Sequence, residues 1–239
     1  MSAADRPSLE AWLAEQKVLM RLFVHDLKNP ISALSANLSY LEAVLEDADE
    51  DAKSALADCT IASRVLLHMA DNLRTLARLE ARDRGEVREV GLAQLVQSVL
   101  RRVSRLGSSG PGPRVEGEIP DVELRVDDAS VAFALENLLF AAMQLTPPAG
   151  DVILRVAAED ERVRFEVVDD GPEVDTESKE RIFERDFQSD AKSRPGARYA
   201  RALGYYGAGL AAAALGGTIA AGEDAGRTAI VLEIARDAG

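Results

Sequence analysis

Residues 20–45, MRLFVHDLKNPISALSANLSYLEAVL, decide the fold of the first third of the chain. Apolar side chains recur in this stretch with alternating gaps of four and three residues: Met20, Val24, Leu27, Ile31, Leu34, Leu38, Leu41 and Leu45. Such heptad spacing is typical of a helix that packs lengthwise on other helices. A second series with the same spacing follows an acidic turn: Cys59, Ala62, Leu66, Met69, Leu73 and Leu76. The two series predict an antiparallel helical hairpin. Because two helices alone bury too little surface, we expect it to pair with a second copy as a four-helix dimer.

The first helix also carries the hexapeptide HDLKNP, residues 25–30. Helical spacing places His25 and Asn29 on the polar face, opposite the apolar series. A neutral, exposed imidazole is a nucleophile, and the adjacent Asp26 can orient the ring and take its proton. Pro30 lacks an N–H group, so a kink is expected beside the histidine. An exposed histidine without a role is the alternative, but Asp, Asn and Pro at these offsets favour a reactive one.

Composition limits the classes of partner and location. The chain has 239 residues, 47% hydrophobic and 29% charged, with a formal net charge of -13, which argues against nucleic acid and anionic membrane as partners. The N-terminal residues lack signal-peptide features, and the uncharged residues 204–222 hold too few Leu and Ile for a membrane span, so no membrane insertion and a cytoplasmic location are expected. The single cysteine, Cys59, excludes an intramolecular disulfide, and we interpret it as a small buried hydrophobe. We interpret His68 as a surface or flank histidine.

The pattern changes after a polar segment. We predict a helical hairpin over residues 1–82, a linker over 83–90 and a second domain over 91–239. Helices are predicted in this domain at residues 92–106, 128–145 and 205–215, with Asp127 or Asp128 near the N-cap of the second. Strands are predicted at 115–118, 123–126, 151–158, 162–169, 218–221 and 227–234. This order indicates an α/β sandwich with helices on one face of a mixed sheet.

The hexapeptide resembles the H-box of two-component histidine kinases, commonly H-[DE]-x-x-[NT]-P, and the hairpin resembles their dimerisation and phosphotransfer domain. The resemblance implies that His25 carries a phosphoryl group and that Asp26 is its acid/base. Asn29 would assist hydrolysis of phospho-aspartate on a response regulator. The implied partners are a receiver domain and a second copy of the chain, and an upstream sensor protein is a further candidate.

The second domain resembles the ATP-binding domain of the same family. Five segments carry this resemblance: residues 136–147 (N-box), 168–173 (first glycine box), 181–187 (F-box), 202–204 (second glycine box) and 226–228 (closing G-x-T). The nucleotide-binding positions that are retained are Asn137, Asp169, Gly171, Gly204 and Thr228. By resemblance, Asp169 binds the adenine amino group and Thr228 lies near the same base. ATP and Mg are the cofactors that this implies.

Four positions depart from the family pattern, all on the phosphate side. Ala141 stands where an asparagine holds the magnesium, and a methyl group offers a hard cation no ligand. Gln144 replaces a lysine that contacts phosphate. Glu173 and Ala202 replace glycines, which adds a carboxylate near the phosphates and restricts the backbone φ angle. These changes count against the use of ATP and Mg, and the sequence predicts no metal ligands.

Three functions remain open from the sequence. The leading one is a histidine phosphotransferase with a kinase-like fold, in which His25 exchanges a phosphoryl group with response-regulator aspartates. The alternative is an active histidine kinase that phosphorylates itself from Mg-ATP. The third is a non-enzymatic dimeric scaffold or inhibitor of a signalling partner. The intact H-box counts against the third, and the altered N-box counts against the second.

Overall fold

The computed structural model describes residues 27–29, 31–45, 49–81, 85–107, 111–194 and 197–237. Two compact units make up the chain, Met1–Ala81 and Arg82–Gly239. The first is helical, and the second combines helices with two sheets. This order confirms the predicted fold class.

The described part of the first unit contains two helices. Helix α1 comprises the helical residues 27–29 and 31–44, and α2 spans Glu50–Glu80. The side chain of Asp49 caps α2 by accepting a hydrogen bond of 2.8 Å from the backbone N–H of Ala52. Acidic residues in the first turn of α2 stabilise the helix, because their negative charges lie at the positive end of the helix dipole.

The apolar series of the hairpin divides between a buried and an exposed face. On α1, Ile31 and Leu38 are buried, whereas Leu34 is 45% exposed. On α2, Leu66 is also 45% exposed and Cys59 is exposed. The prediction that Cys59 is buried was therefore wrong. The heptad spacing shows that apolar positions share a face, but it does not say which neighbour covers that face.

The second unit follows the order of elements that the sequence predicts, with additions. Its elements are β1 (Arg88–Gly91), α3 (Leu92–Leu106), β2 (Pro113–Val115), β3 (Glu123–Val126), α4 (Asp128–Leu145), β4 (Val152–Ala158), β5 (Arg162–Asp169), α5 (Ser178–Arg181), α6 (Arg185–Ala191), a 3-10 helix (Arg201–Leu203), α7 (Gly204–Ala214), β6 (Thr218–Asp224) and β7 (Arg227–Ala235).

The main sheet has five strands in the order β2-β4-β5-β7-β6, and β1 pairs with β3 in a second sheet. Strand β2 is parallel to β4, and the other pairs are antiparallel. Strand β1 begins inside residues 83–90, which the sequence predicted as a linker. A short strand forms in this polar segment because backbone pairing, such as Val90 opposite Leu124, does not need an apolar run.

The core of the second unit lies around α4, which packs against α3, α7, β4 and β5. The Asp127 side chain caps this helix by accepting from the backbone N–H of Ser130 at 3.1 Å, which confirms the predicted N-cap. On β5, Val163, Phe165 and Val167 are fully buried. The end of this buried strand carries Asp169, so the core fixes the position of that carboxylate.

None of the helices in the described ranges is both long and apolar enough to cross a membrane.

Candidate functional site

The segment with the predicted phosphoacceptor is described only from residue 27. His25, Asp26 and Pro30 lie outside the described residues, so the exposure of His25 and the kink stay predictions. Asn29 is exposed, as predicted. The Nζ atom of Lys28 donates to Oδ1 of Asp71 at 2.7 Å, which joins α1 to α2 close to the hexapeptide.

Polar side chains lie in the interior of the hairpin. The hydroxyls of Ser35 and Ser63 are 2.6 Å apart. His68 is only 9% exposed, with its Nε2 atom 3.4 Å from Nδ2 of Asn72. Burial lowers the pKa of His68 to about 4, although Asp71 opposes this shift. The prediction of a surface histidine was wrong, because the helix packing turns this face of α2 inward.

The base side of the predicted nucleotide site forms at the ends of β5 and β7. Asp169 and Thr228 are Cα partners in the ladder between these strands, and both are buried. The backbone N–H of Gly171 donates to Oδ1 of Asp169 at 2.8 Å. A Cβ atom at Gly171 would lie 2.6 Å from the same oxygen, so this turn requires glycine. The Thr228 hydroxyl donates to the carbonyl of Pro172 at 3.2 Å.

An arginine from outside every quoted motif occupies the remaining oxygen of this carboxylate. Nη2 of Arg198 donates to Oδ2 of Asp169 at 2.5 Å, and both side chains are at most 2% exposed. Arg198 also donates from Nη1 to the Pro172 carbonyl at 2.6 Å and from Nε to the Tyr205 hydroxyl at 3.2 Å. Burial acts to lower the pKa of Arg198, but Tyr205 and Asp169 raise it above its ordinary value. The guanidinium therefore stays charged.

A glutamine holds the backbone immediately after this arginine, on both sides of Tyr199. Gln188 on α6 is fully buried, and its Nε2 atom donates to the carbonyl of Arg198 at 3.2 Å. Its Oε1 atom accepts from the backbone N–H of Ala200 at 2.9 Å. Both contacts cross ten or more residues of sequence, so local patterns did not reveal them.

The N-box and the second glycine box meet in the structure. Asn137 is 1% exposed, and its Nδ2 atom donates to the carbonyl of Phe133 at 2.9 Å. A Cβ atom at Gly204 would lie 2.9 Å from Oδ1 of Asn137, so the close approach depends on glycine. Ala141 is buried one turn further along α4 and offers only a methyl group.

The backbone before α7 is strained. Ala202 adopts φ 54° and ψ 32°, and Leu203 adopts φ 57° and ψ 36°. Both angles lie in the left-handed region, which costs a non-glycine residue roughly 1–2 kcal/mol. The family pattern predicts a glycine at position 202, and the alanine found here adopts a φ angle that glycine adopts without strain.

A cavity of about 250 Å³ adjoins the buried ion pair. Its walls include Val174, Ile182, Phe187 and Arg198, with Glu173 also in the lining. An apolar wall beside a buried carboxylate suits a flat, partly polar ligand such as a purine base. In this structure, however, the Arg198 side chain donates to one oxygen of that carboxylate, which is itself fully buried.

The fit of the two expected cofactors differs. Asp169 offers a carboxylate and Thr228 a hydroxyl, groups that fit the hydrogen-bonding edge of a base. Magnesium does not fit at the expected position, because Ala141 has no oxygen to offer. Over the described ranges, no group of three or more His, Cys, Asp or Glu side chains is placed to hold a metal ion.

Two family models match separate parts of the chain. The His Kinase A (phospho-acceptor) domain matches residues 17–82, which include His25. The histidine kinase-, DNA gyrase B- and HSP90-like ATPase matches residues 126–237, which include Asn137, Asp169 and Thr228. The two matches follow the same order as the helical and α/β units of the structure.

Known relatives share this arrangement over part of their length. The phosphate regulon sensor protein PhoR of Pseudomonas aeruginosa is 28% identical over 169 residues, which make up 70% of this chain and 38% of that protein. The sensory/regulatory protein RpfC of Xanthomonas campestris pv. campestris is 30% identical over 200 residues, 80% of this chain and 27% of that protein. The chain therefore spans well under half the length of both relatives.

Among solved structures, full-length ShkA in complex with AMPPNP superposes with a TM-score of 0.59 and 25% sequence identity. The match covers 90% of this chain and 45% of that chain. It includes residues from both units.

Proposed function

Because this chain belongs to the two-component histidine kinase family, we propose that it autophosphorylates His25 from ATP and passes the phosphoryl group to a response-regulator aspartate. One observation carries this proposal. A match to the phospho-acceptor domain contains His25, and a match to the ATPase contains Asp169 and Thr228, a buried pair that would recognise the base. The relatives named as sensor proteins favour this kinase alternative over the phosphotransferase that the sequence first favoured.

The proposed chemistry uses residues of the hexapeptide. A neutral His25 imidazole nitrogen attacks the γ-phosphorus of ATP, a P–N bond forms, the bond to the bridging oxygen breaks, and ADP leaves. Asp26 takes the proton from the other ring nitrogen. The phosphoryl group then moves to the aspartate of a receiver domain. Asn29, which is exposed on α1, would orient a water for hydrolysis of that phospho-aspartate.

The two units would divide the work. Residues 1–82 would form the dimerisation and phosphotransfer hairpin, and residues 91–239 would form the ATP-binding domain. Residues 83–90 would link them, although β1 already begins in this segment.

The exposed apolar face of the hairpin supports a homodimer. Leu34 and Leu66 are each 45% exposed and Leu41 is 39% exposed, although their spacing matches a packed helical seam. A second copy would bury them in a four-helix bundle. Leu66→Asp should therefore halve the mass measured by light scattering. Val87→Asp, at a residue of the second unit that is 38% exposed, should leave that mass unchanged.

A second candidate function is favoured by the state of the nucleotide site. Ala141 offers no magnesium ligand, and Arg198 occupies the Asp169 carboxylate. Both features suit a phosphotransferase that receives its phosphoryl group from a phosphorylated receiver domain and never from ATP. His25 and the regulator aspartate would then be the two ends of a reversible exchange.

Radiolabelling separates these functions. The full chain is incubated either with γ-labelled ATP and magnesium or with a labelled, phosphorylated receiver domain. Label from ATP supports the kinase. Label from the receiver alone supports the phosphotransferase and contradicts the kinase, and no label from either source leaves a scaffold or inhibitor. His25→Gln should abolish the label, whereas His68→Gln, which changes the only other histidine, should retain it.

A further inference from the structure

We propose that Arg198 is an internal gate of the base pocket: its guanidinium holds Asp169 in a closed state, and a purine base reaches that carboxylate only after Arg198 leaves. The inference rests on the proposed function, in which Asp169 receives the base. It adds a regulatory step to that site, carried by a residue outside the retained motifs.

The contacts show that each oxygen of this buried carboxylate already has a donor in the closed state. One oxygen accepts from the Gly171 N–H at 2.8 Å, and the other accepts from Arg198 at 2.5 Å. Arg198 donates further to Pro172 and Tyr205, so the guanidinium is bonded on three sides. Asp169 is fully buried and does not line the adjoining cavity, whereas Arg198 does, so an adenine amino group in that cavity cannot reach the carboxylate while Arg198 stays in place.

While Arg198 stays in place, it binds Asp169 more strongly than the amino group of a base can. A buried guanidinium–carboxylate bond is charge-assisted, whereas the amino group of a base is a neutral donor. Replacing one by the other would leave an uncompensated charge in a site where both partners are at most 2% exposed. The base therefore binds only if the whole Arg198 side chain withdraws towards solvent.

The segment that carries Arg198 is anchored by one side chain and borders strained backbone. Gln188 fixes it through two hydrogen bonds, one before and one after Tyr199 in the chain. Immediately beyond it, Ala202 and Leu203 both have left-handed φ angles. A rearrangement of this segment could release that strain, which would offset part of the cost of breaking the ion pair. Arg198 also lines the 250 Å³ cavity, which would extend to Asp169 once the side chain leaves.

Calorimetric titration of the full chain with ATP and magnesium chloride tests the gate. If the open state is populated below about 10%, the apparent dissociation constant is raised at least about tenfold. Arg198→Ala should therefore bind ATP at least about tenfold more tightly than the unchanged chain. Arg201→Ala removes the same charge from an exposed neighbour in the 3-10 helix and should have no effect.

Arg198→Ala leaves Asp169 buried without its partner and could destabilise the domain, so Gln188→Ala is the second variant. It loosens the segment but keeps the ion pair available, and it should also tighten binding, to a smaller extent. Thermal unfolding verifies that each variant is folded. Unchanged or weaker binding by both folded variants, or no measurable binding by either, would overturn the gate.

The binding measurement does not involve His25, so the two proposals can fail separately. If the folded Arg198→Ala chain binds ATP more tightly but His25 acquires no label, the gate stands and the kinase proposal fails. If the unchanged chain labels His25 from ATP and neither variant binds more tightly, the kinase proposal stands and the gate fails.

Discussion

The buried pair between Asp169 and Arg198 makes a quantitative prediction for stability. Asp169→Asn keeps an oxygen for the Gly171 N–H but removes the negative charge, so Arg198 remains buried without compensation. Removing one partner of a buried pair costs about 3–5 kcal/mol. Arg198→Met leaves the carboxylate uncompensated and should cost a similar amount. The double variant leaves no unpaired charge, so its cost should fall below the sum of the single costs by about 2 kcal/mol or more.

Hydrogen exchange followed by mass spectrometry measures this effect in the second unit alone. Peptides that span β5 report the opening free energy of the strand that carries Asp169. The three variants and the unchanged chain form a double-mutant cycle on this quantity. Additive losses of protection, with a coupling below about 0.5 kcal/mol, would show that the ion pair does not hold the pocket closed.

Three further measurements follow from the structure. Gly217→Ala places a Cβ atom 2.3 Å from the carbonyl oxygen of Glu233 and should lower the unfolding free energy by about 1–3 kcal/mol in urea titration, whereas Gly112→Ala, with open space around it, should change it by less than about 0.5 kcal/mol. Burial lowers the pKa of His68 from 6.5 to about 4, so the unfolded chain binds more protons than the folded chain between these pH values. The stability of the hairpin should therefore fall by up to about 3 kcal/mol as the pH is lowered from 6.5 to 4. His68→Phe should remove this dependence when thermal unfolding is measured as a function of pH. Cys59, which is exposed and belongs to the same apolar series as Leu66, should react slowly with a thiol reagent in the unchanged dimer and rapidly in the Leu66→Asp chain, and equal rates would contradict burial of this face by a second copy.

The second unit was the more predictable part of the fold, because its signals are local. Helix α4 begins and ends where the sequence predicted, since Asp127 supplies its cap and an extended strand conformation at Thr146 ends it. Strand β5 also has the predicted bounds, because its apolar residues alternate with charged ones. Strand β1 was missed because its polar composition gives no strand signal. Only its pairing with β3 identifies it.

The candidate site was predictable only where a motif is contiguous. Asp169 and Gly171 belong to one short turn, and the sequence assigned both. Arg198 lies 29 residues from Asp169 in a polar segment without periodicity, and only the tertiary fold brings its guanidinium to the carboxylate. The burial of His68 was missed for a similar reason, since the apolar series on α2 pointed to a different face of that helix.

A movement of the chain could restore ligand binding on the base side of the site but not on the phosphate side. Arg198 blocks a carboxylate that is still present, so its withdrawal would return the base side to a binding state. No movement of Ala141 can supply a magnesium ligand. If the base side limits binding, Arg198→Ala should improve the affinities for adenosine and for ATP by the same factor, because the phosphates gain nothing from the change. If ATP then binds no more tightly than adenosine, the phosphate side contributes no affinity, and the phosphotransferase becomes the better account of His25.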